Sequence, residues 1–199
     1  MRSFRRIAVY CGSSDAVDPR WRAVARSTGR LLADRGIGVV YGGGRVGLMG
    51  EVADGALERG GQVYGVIPHK LQGLEVGHQG CTELFVVDSM HARKAMMANL
   101  ADGFIALPGG FGTLEEIVEV TTMAILNYHH KPVGLLNVDG FFDHLLAFVH
   151  HAADLGFIRP QHRDILAVAD DPEAMLEALA ASQIPKVEDW IGRGPAQSP

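Results

Sequence analysis

Short apolar runs rich in β-branched residues alternate along the chain with longer segments in which apolar positions recur at helical spacing. Strands are predicted at 5–11 (RRIAVYC), 37–41 (IGVVY), 62–67 (QVYGVI), 82–87 (TELFVV), 103–107 (GFIAL) and 133–137 (PVGLLN), with a seventh at 165–168. Helices are predicted at 19–35, 47–59, 89–101, 113–128, 141–155 and 172–182. Pro19 suits a first helical turn, and Gly36 and Gly60 sit where helices stop. Such alternation implies an α/β fold, a doubly wound, mainly parallel sheet flanked by helices in a single domain over residues 1–185. Residues 68–81 are polar, glycine-dotted and without a period, and read as a loop over the strand ends. Residues 186–199 read as a C-terminal tail.

Composition narrows the function classes. Of 199 residues, 47% are hydrophobic and 21% charged, which excludes a disordered or collagen-like chain. Eighteen Lys and Arg against 23 Asp and Glu leave a net charge of −5, so a broad phosphate-backbone footprint, and with it nucleic acid as a partner, is not expected. The two cysteines, Cys11 and Cys81, have no CxxC or metal-ligand spacing, as in a reducing compartment. The apolar run from Ile7 to Cys11 is too short for a signal-peptide core, and no run approaches the roughly 20 residues of a membrane span. A soluble cytoplasmic protein with no membrane partner and no metal is expected. Glycine alone is out of line, with 25 residues in place of the usual share of about 7%.

Ligands of open parallel sheets bind at the carboxyl ends of the strands, and three loops there carry chemistry. Cys11-Gly12-Ser13-Ser14-Asp15 offers hydroxyls, Ser14 among them, to an anion, or is an ordinary turn. Gly42, Gly43, Gly44, Gly47 and Gly50 follow a strand and open a helix. Gly42, Gly44 and Gly47 satisfy G-x-G-x-x-G, yet the acidic residue wanted about 20 positions on is replaced by Val66, Ile67, Pro68 and His69, which disfavours NAD. The P-loop pattern is absent. What survives is close backbone approach and a helix N-terminus facing a phosphate. The third loop, Leu107-Pro108-Gly109-Gly110-Phe111-Gly112-Thr113-Leu114-Glu115-Glu116, repeats that arrangement. Two such cradles favour a ligand with a phosphate and a sugar. Glu116 has two readings, a reactive carboxylate or the second half of a Thr113-x-x-Glu116 capping box.

Arg93 and Lys94 border the inward face of helix 89–101, where they either snorkel to solvent or clamp a phosphate or carboxylate. The adjacent pairs His129-His130 and His150-His151 lack metal geometry and read as surface or helix-end residues. Glu115, Glu119 and Thr122 share one side of helix 113–128, either solvated or facing the site or a partner.

The segment P-G-G-x-G-T-x-x-E at 108–116, with Arg93-Lys94 upstream and Tyr41-Gly-Gly-Gly before it, closely resembles the LOG ("lonely guy") family over residues 9–168. The resemblance implies a Rossmann-like homodimer without a cofactor. It would hydrolyse the N-glycosidic bond of cytokinin riboside 5'-monophosphates or AMP to the free base and ribose 5-phosphate. It also implies catalytic roles for Arg93 and Glu116. Substrate binding would fall to Lys94, Gly109, Gly110, Phe111, Gly112, Thr113, Leu114, Glu115 and Thr122, and to Glu75, which matches a family glutamate without gaps relative to Arg93. The stretch Val-Gly-His-Gln-Gly-Cys at 76–81 looks less typical.

An oxocarbenium-like transition state needs negative charge beside the ribose and a base for the attacking water, which Glu116 could supply. A place at the helix start is expected to keep its pKa low. Arg93 is assigned to orienting Glu116 and binding phosphate or ribose. The leaving group has no obvious proton donor beyond water or Glu75. Relatives also carry a lysine decarboxylase label, which is rejected because Lys94 is better explained as a phosphate clamp. Two alternatives stay open, a non-catalytic nucleotide or molybdenum-cofactor carrier and a ribose 5-phosphate transferase.

Overall fold

The computed structural model describes residues 2–72 and 77–185. Seven strands, β1 (Arg6–Tyr10), β2 (Gly38–Tyr41), β3 (Val63–Pro68), β4 (Glu83–Val87), β5 (Gly103–Ala106), β6 (Val133–Leu136) and β7 (Leu166–Ala169), form one sheet in the order β4-β3-β2-β1-β5-β6-β7. Every pairing is parallel. The central strands are buried along their whole length, because helices cover both faces and leave no solvent side to alternate with.

One face carries α1 (Pro19–Asp34), α2 (Gly47–Glu58) and α7 (Pro172–Ala181) over Val9, Val39, Ile105 and Leu136. The other carries α4 (Met90–Leu100), α5 (Phe111–Ile125) and α6 (Asp143–Asp154) over Tyr10, Val40, Phe104 and Leu135. Local chemistry starts several of these helices. Asp18 accepts from the Arg20 amide ahead of Pro19, Ser89 from Ala92, and Asp171 from Glu173 and Ala174. Among the described residues no helix is long and apolar enough to cross a membrane.

The seven predicted strands all form, with ends shifted by a residue or two. The 68–81 region differs from expectation. Pro68 closes β3, and residues His69–Gln72 make a single helical turn, α3, too short to show a period. Gly77 then pairs in antiparallel fashion with Gly44. The tail 186–199 lies outside the described residues.

The chain leaves β1, winds outward through β2 and β3 to β4, then returns to place β5 beside β1, in register Val9↔Ile105 and Tyr10↔Ala106. The loops after β1 and β5 therefore leave side by side in opposite directions, and a crevice opens between them.

Candidate active site

A cleft of about 200 Å³ lies at this switch point, walled by Cys11 and Ser13 after β1, Gly42 after β2, Met49 of α2, Leu71 of α3, Met90, Arg93 and Met97 of α4, and Gly112, Thr113, Glu115 and Glu116 of α5. The apolar stripe of α4 explains the position of Arg93. Met97 and Ala98 pack inward, so the residue one turn before them is carried in too, and Arg93 is buried.

The Arg93 guanidinium lies 3.8 Å from Glu116 Oε1, Nη2 being the nearer atom, and Nη1 reaches Met90 Sδ at 3.8 Å. Arg93 Nε is buried and has no hydrogen-bond partner among the described residues. Donors of a buried guanidinium left without oxygen atoms point to a ligand that brings its own. Gly42 makes this placement possible: a methyl group there would collide with Arg93 Nη2.

Glu116 is buried, and burial raises its pKa from 4.5 to about 7, outweighing the pull of Arg93. This corrects the expectation of a low pKa from a helix-start position. The N-cap of α5 is Gly110, with no side-chain cap, so Thr113 is the third helical residue and Glu116 the sixth. The Thr113-x-x-Glu116 capping box does not form. Burial also pushes the Cys11 thiol up, with Glu116 adding to the effect, which keeps that thiol neutral beside the cleft.

The two expected anion cradles differ. At α2 the protein fills its own: the Gly47 amide donates to Asp15 Oδ1 at 3.0 Å and the Leu48 amide to the Gly12 carbonyl at 3.0 Å. Gly47 has φ +57° and packs on Ser13, so its lack of a side chain is required by the backbone. At α5 the first amide taken up is that of Leu114, by Gly110. Among the described residues the Phe111, Gly112 and Thr113 amides have no partner, and no described atom lies near a side chain added at Gly110 or Gly112.

Of the residues expected to act in catalysis or bind substrate, Arg93, Gly112, Thr113, Glu115 and Glu116 line the cleft. Gly109 and Gly110 form the turn into α5, with Gly109 packed on Thr113 and the Gly12 amide. Gly43 and Gly44 are buried behind the wall, and Ser14 accepts from Ala16 at 3.2 Å in a local turn. Phe111 and Thr122 project to solvent, Leu114 packs into the core, and Glu75 lies outside the described residues. Lys94, expected as a phosphate clamp, is paired within the protein. Its ammonium pairs with Glu115 and, at 3.1 Å, with Glu119, and the hydrogen bond it donates to Glu115 raises its pKa. Leu71 of the cleft wall, in a segment without period, and Met49 went unnoticed in the sequence.

Fold and cleft together define a Rossmann-like α/β protein whose charged crevice, at a strand-to-helix switch point, suits an anionic ligand. A family model described as "Possible lysine decarboxylase" matches residues 49–179. A "Probable cytokinin riboside 5'-monophosphate phosphoribohydrolase" of Oryza sativa subsp. japonica is 51% identical over 176 residues, covering 88% of this chain and 78% of its own. A cytokinin riboside 5'-monophosphate phosphoribohydrolase of Arabidopsis thaliana is 48% identical over 176 residues, with coverage of 88% and 81%. The chain belongs to this family of phosphoribohydrolases, the LOG family, as its motifs implied. Among solved structures, the molybdenum cofactor carrier protein of Chlamydomonas reinhardtii is similar at a TM-score of 0.68 and 22% identity, over 88% of this chain and 96% of that one. The molybdenum cofactor binding protein of Rippkaea orientalis is similar at 0.66 and 28%, over 89% and 95%.

Proposed function

We propose that the chain hydrolyses the N-glycosidic bond of a purine nucleoside 5'-monophosphate, AMP or an N6-substituted relative. The observation that carries this is the buried Arg93–Glu116 pair across a cleft that opens onto the free amides of α5. The names of the relatives support the same chemistry. In the proposed reaction the C1'–N bond breaks, water supplies the oxygen that bonds to C1', and the base leaves with a proton. Glu116 takes the proton of the attacking water, its pKa near neutrality being suited to a general base, and its charge offsets the oxocarbenium-like transition state. Arg93 holds that carboxylate and offers its unpartnered Nε to the ribose or phosphate.

The 5'-phosphate belongs at the N-terminus of α5, where the Gly112 and Thr113 amides and the helix dipole favour an anion. Binding energy from this remote group can be used at the sugar. AMP is therefore expected to be cleaved with a kcat/KM at least about 100-fold above that of adenosine, measured as adenine release by chromatography. Equal values for the two would remove the phosphate from the account.

A homodimer in the cytoplasm completes the proposal. Phe111, Val118 and Leu126 are 93%, 53% and 52% exposed on α5, and Thr122 lies among them. Met90, 44% exposed, extends this apolar surface to the cleft rim. A second copy covering it would bring Thr122 and the outer side of Glu115 near a site. Sedimentation is expected to give twice the 21.4 kDa chain mass, and a monomer at micromolar concentration would contradict the proposal.

The activity in the family model's description fits the cleft poorly. A Schiff-base lysine must be neutral to attack, whereas Lys94 is held charged between two carboxylates. Lys131 donates to the Ala98 carbonyl at 2.7 Å, and Lys70 sits exposed on α3. A pure carrier would need the open amides but gains nothing from a desolvated carboxylate facing the ligand. Release of adenine separates the two readings.

A further inference from the structure

The segment after the glutamate region, 77–81, does more than cover the strand ends. His78 is only 3% exposed, an unusual place for a loop histidine. Its ring Nδ1 accepts from the Gly80 amide at 3.1 Å, so the proton sits on Nε2, which donates to Asp54 Oδ1 of α2 at 2.9 Å. Its backbone amide donates to the Gly43 carbonyl at 3.0 Å, beside the Gly44↔Gly77 bridge. Gly43 adjoins Gly42, the residue on which the Arg93 guanidinium rests. On the other side, the Gly77 amide reaches the Gln72 carbonyl at 3.4 Å, closing α3 next to Leu71 of the cleft wall.

We propose that His78, pinned by Asp54, is a positioning residue that holds the 42–44 turn and the end of α3 against the nucleotide cleft. The inference rests on the cleft being the nucleotide site. Gly43 and Gln72, the chain neighbours of the cleft-wall residues Gly42 and Leu71, are both hydrogen-bonded to one short segment, and the side chain of that segment that bonds to a long helix is His78. Its anchor is itself held: Asp54 lies 3.9 Å from Arg26 Nη2, part of the α1–α2 ion-pair rows. A rigid ring that accepts locally and donates across elements fixes both the turn and its distance from α2. Placement errors of about 1 Å at a site can cost on the order of 100-fold in rate, which gives such an anchor its leverage.

The test compares His78→Ala, His78→Gln and Asp54→Ala with the wild-type protein. Gln can still reach Asp54 with an N–H, whereas Ala cannot, and Ala at the partly exposed position 54 suits a helix. The two Ala variants are expected to lower kcat/KM for adenine release from AMP by about 10- to 100-fold, with KM rising more than kcat falls. His78→Gln is expected to recover most of the loss. The double variant is expected to be no worse than the poorer single one, as for two halves of one contact. In the ligand-free protein, hydrogen exchange is expected to quicken in peptides covering 42–50 and 77–85 of Asp54→Ala. Lower melting temperatures with KM, kcat and exchange at 42–50 unchanged would reduce His78 to a structural residue and overturn the proposal. If the wild-type protein releases no adenine, the hydrolase reading fails, and the exchange comparison still decides the role of His78.

Discussion

Glu116→Gln is expected to cut adenine release from AMP by about 1,000-fold or more, the range for loss of a general base that also stabilises charge, in a protein that stays folded. The substitution keeps size and shape, so the cleft keeps its walls. The pKa supplies a second readout. Folding raises the Glu116 pKa from 4.5 to about 7, so the native state binds this proton more tightly than the unfolded chain. Stability from this group is therefore greatest in acid and falls as pH rises from about 4.5 to about 7. Keeping the carboxylate ionised above that window costs about 3 kcal/mol. Gln resembles the protonated form and escapes the cost, so the variant is expected to melt no lower than the wild type at pH 8 while having lost its activity. The wild-type kcat/KM is expected to rise with pH to about 7 and then level, with no such step in Glu116→Gln. Full activity in that variant would return Glu116 to a packing role.

Gly42→Ala is expected to be the next most damaging change. The added methyl would collide with Arg93 Nη2 and stand 2.9 Å from Cζ and 3.1 Å from Met49 Sδ. The Nη2 end of the buried Arg93 side chain would have to leave its present place beside Glu116. About 100-fold is expected to be lost from kcat/KM, at an overpacking cost of about 1–3 kcal/mol seen as a modest fall in melting temperature. Gly110 provides the comparison, since nothing lies within 4 Å of a side chain added there. Gly110→Ala is expected to melt like the wild type and to weaken only phosphate-bearing ligands. A fully active Gly42→Ala would show that Arg93 need not sit where it does.

The parts of the molecule most legible in the sequence are those governed by local pattern. Strands such as Ile7 to Tyr10 and Val39 to Tyr41 announce themselves because a sheet covered on both faces demands unbroken apolar runs. Glu116 stands out because it follows a glycine-rich turn, and Arg93 because it pairs with Lys94 on the helix that leads to that turn. Three features were hidden for physical reasons. The helix over 111–125 begins two residues before the predicted start, since Thr113-x-x-Glu116 imitates a capping box while the real N-cap, Gly110, has no side chain to advertise it. The α2 cradle looked open because its occupant, Asp15, stands 32 residues away in another loop. Its place near a helix start implies a low pKa for Glu116, whereas burial, a property of the assembled core, raises it. His78 belongs with these, its partners Asp54 and Gly43 being supplied by α2 and by the turn after β2.

The most direct measurement is an incubation of the purified protein with AMP, followed by chromatography of both products. Adenine and ribose 5-phosphate are expected in equal amounts, formed by the wild-type protein and not by Glu116→Gln. AMP recovered intact from the wild-type incubation would contradict hydrolysis and leave a nucleotide carrier as the function of the cleft.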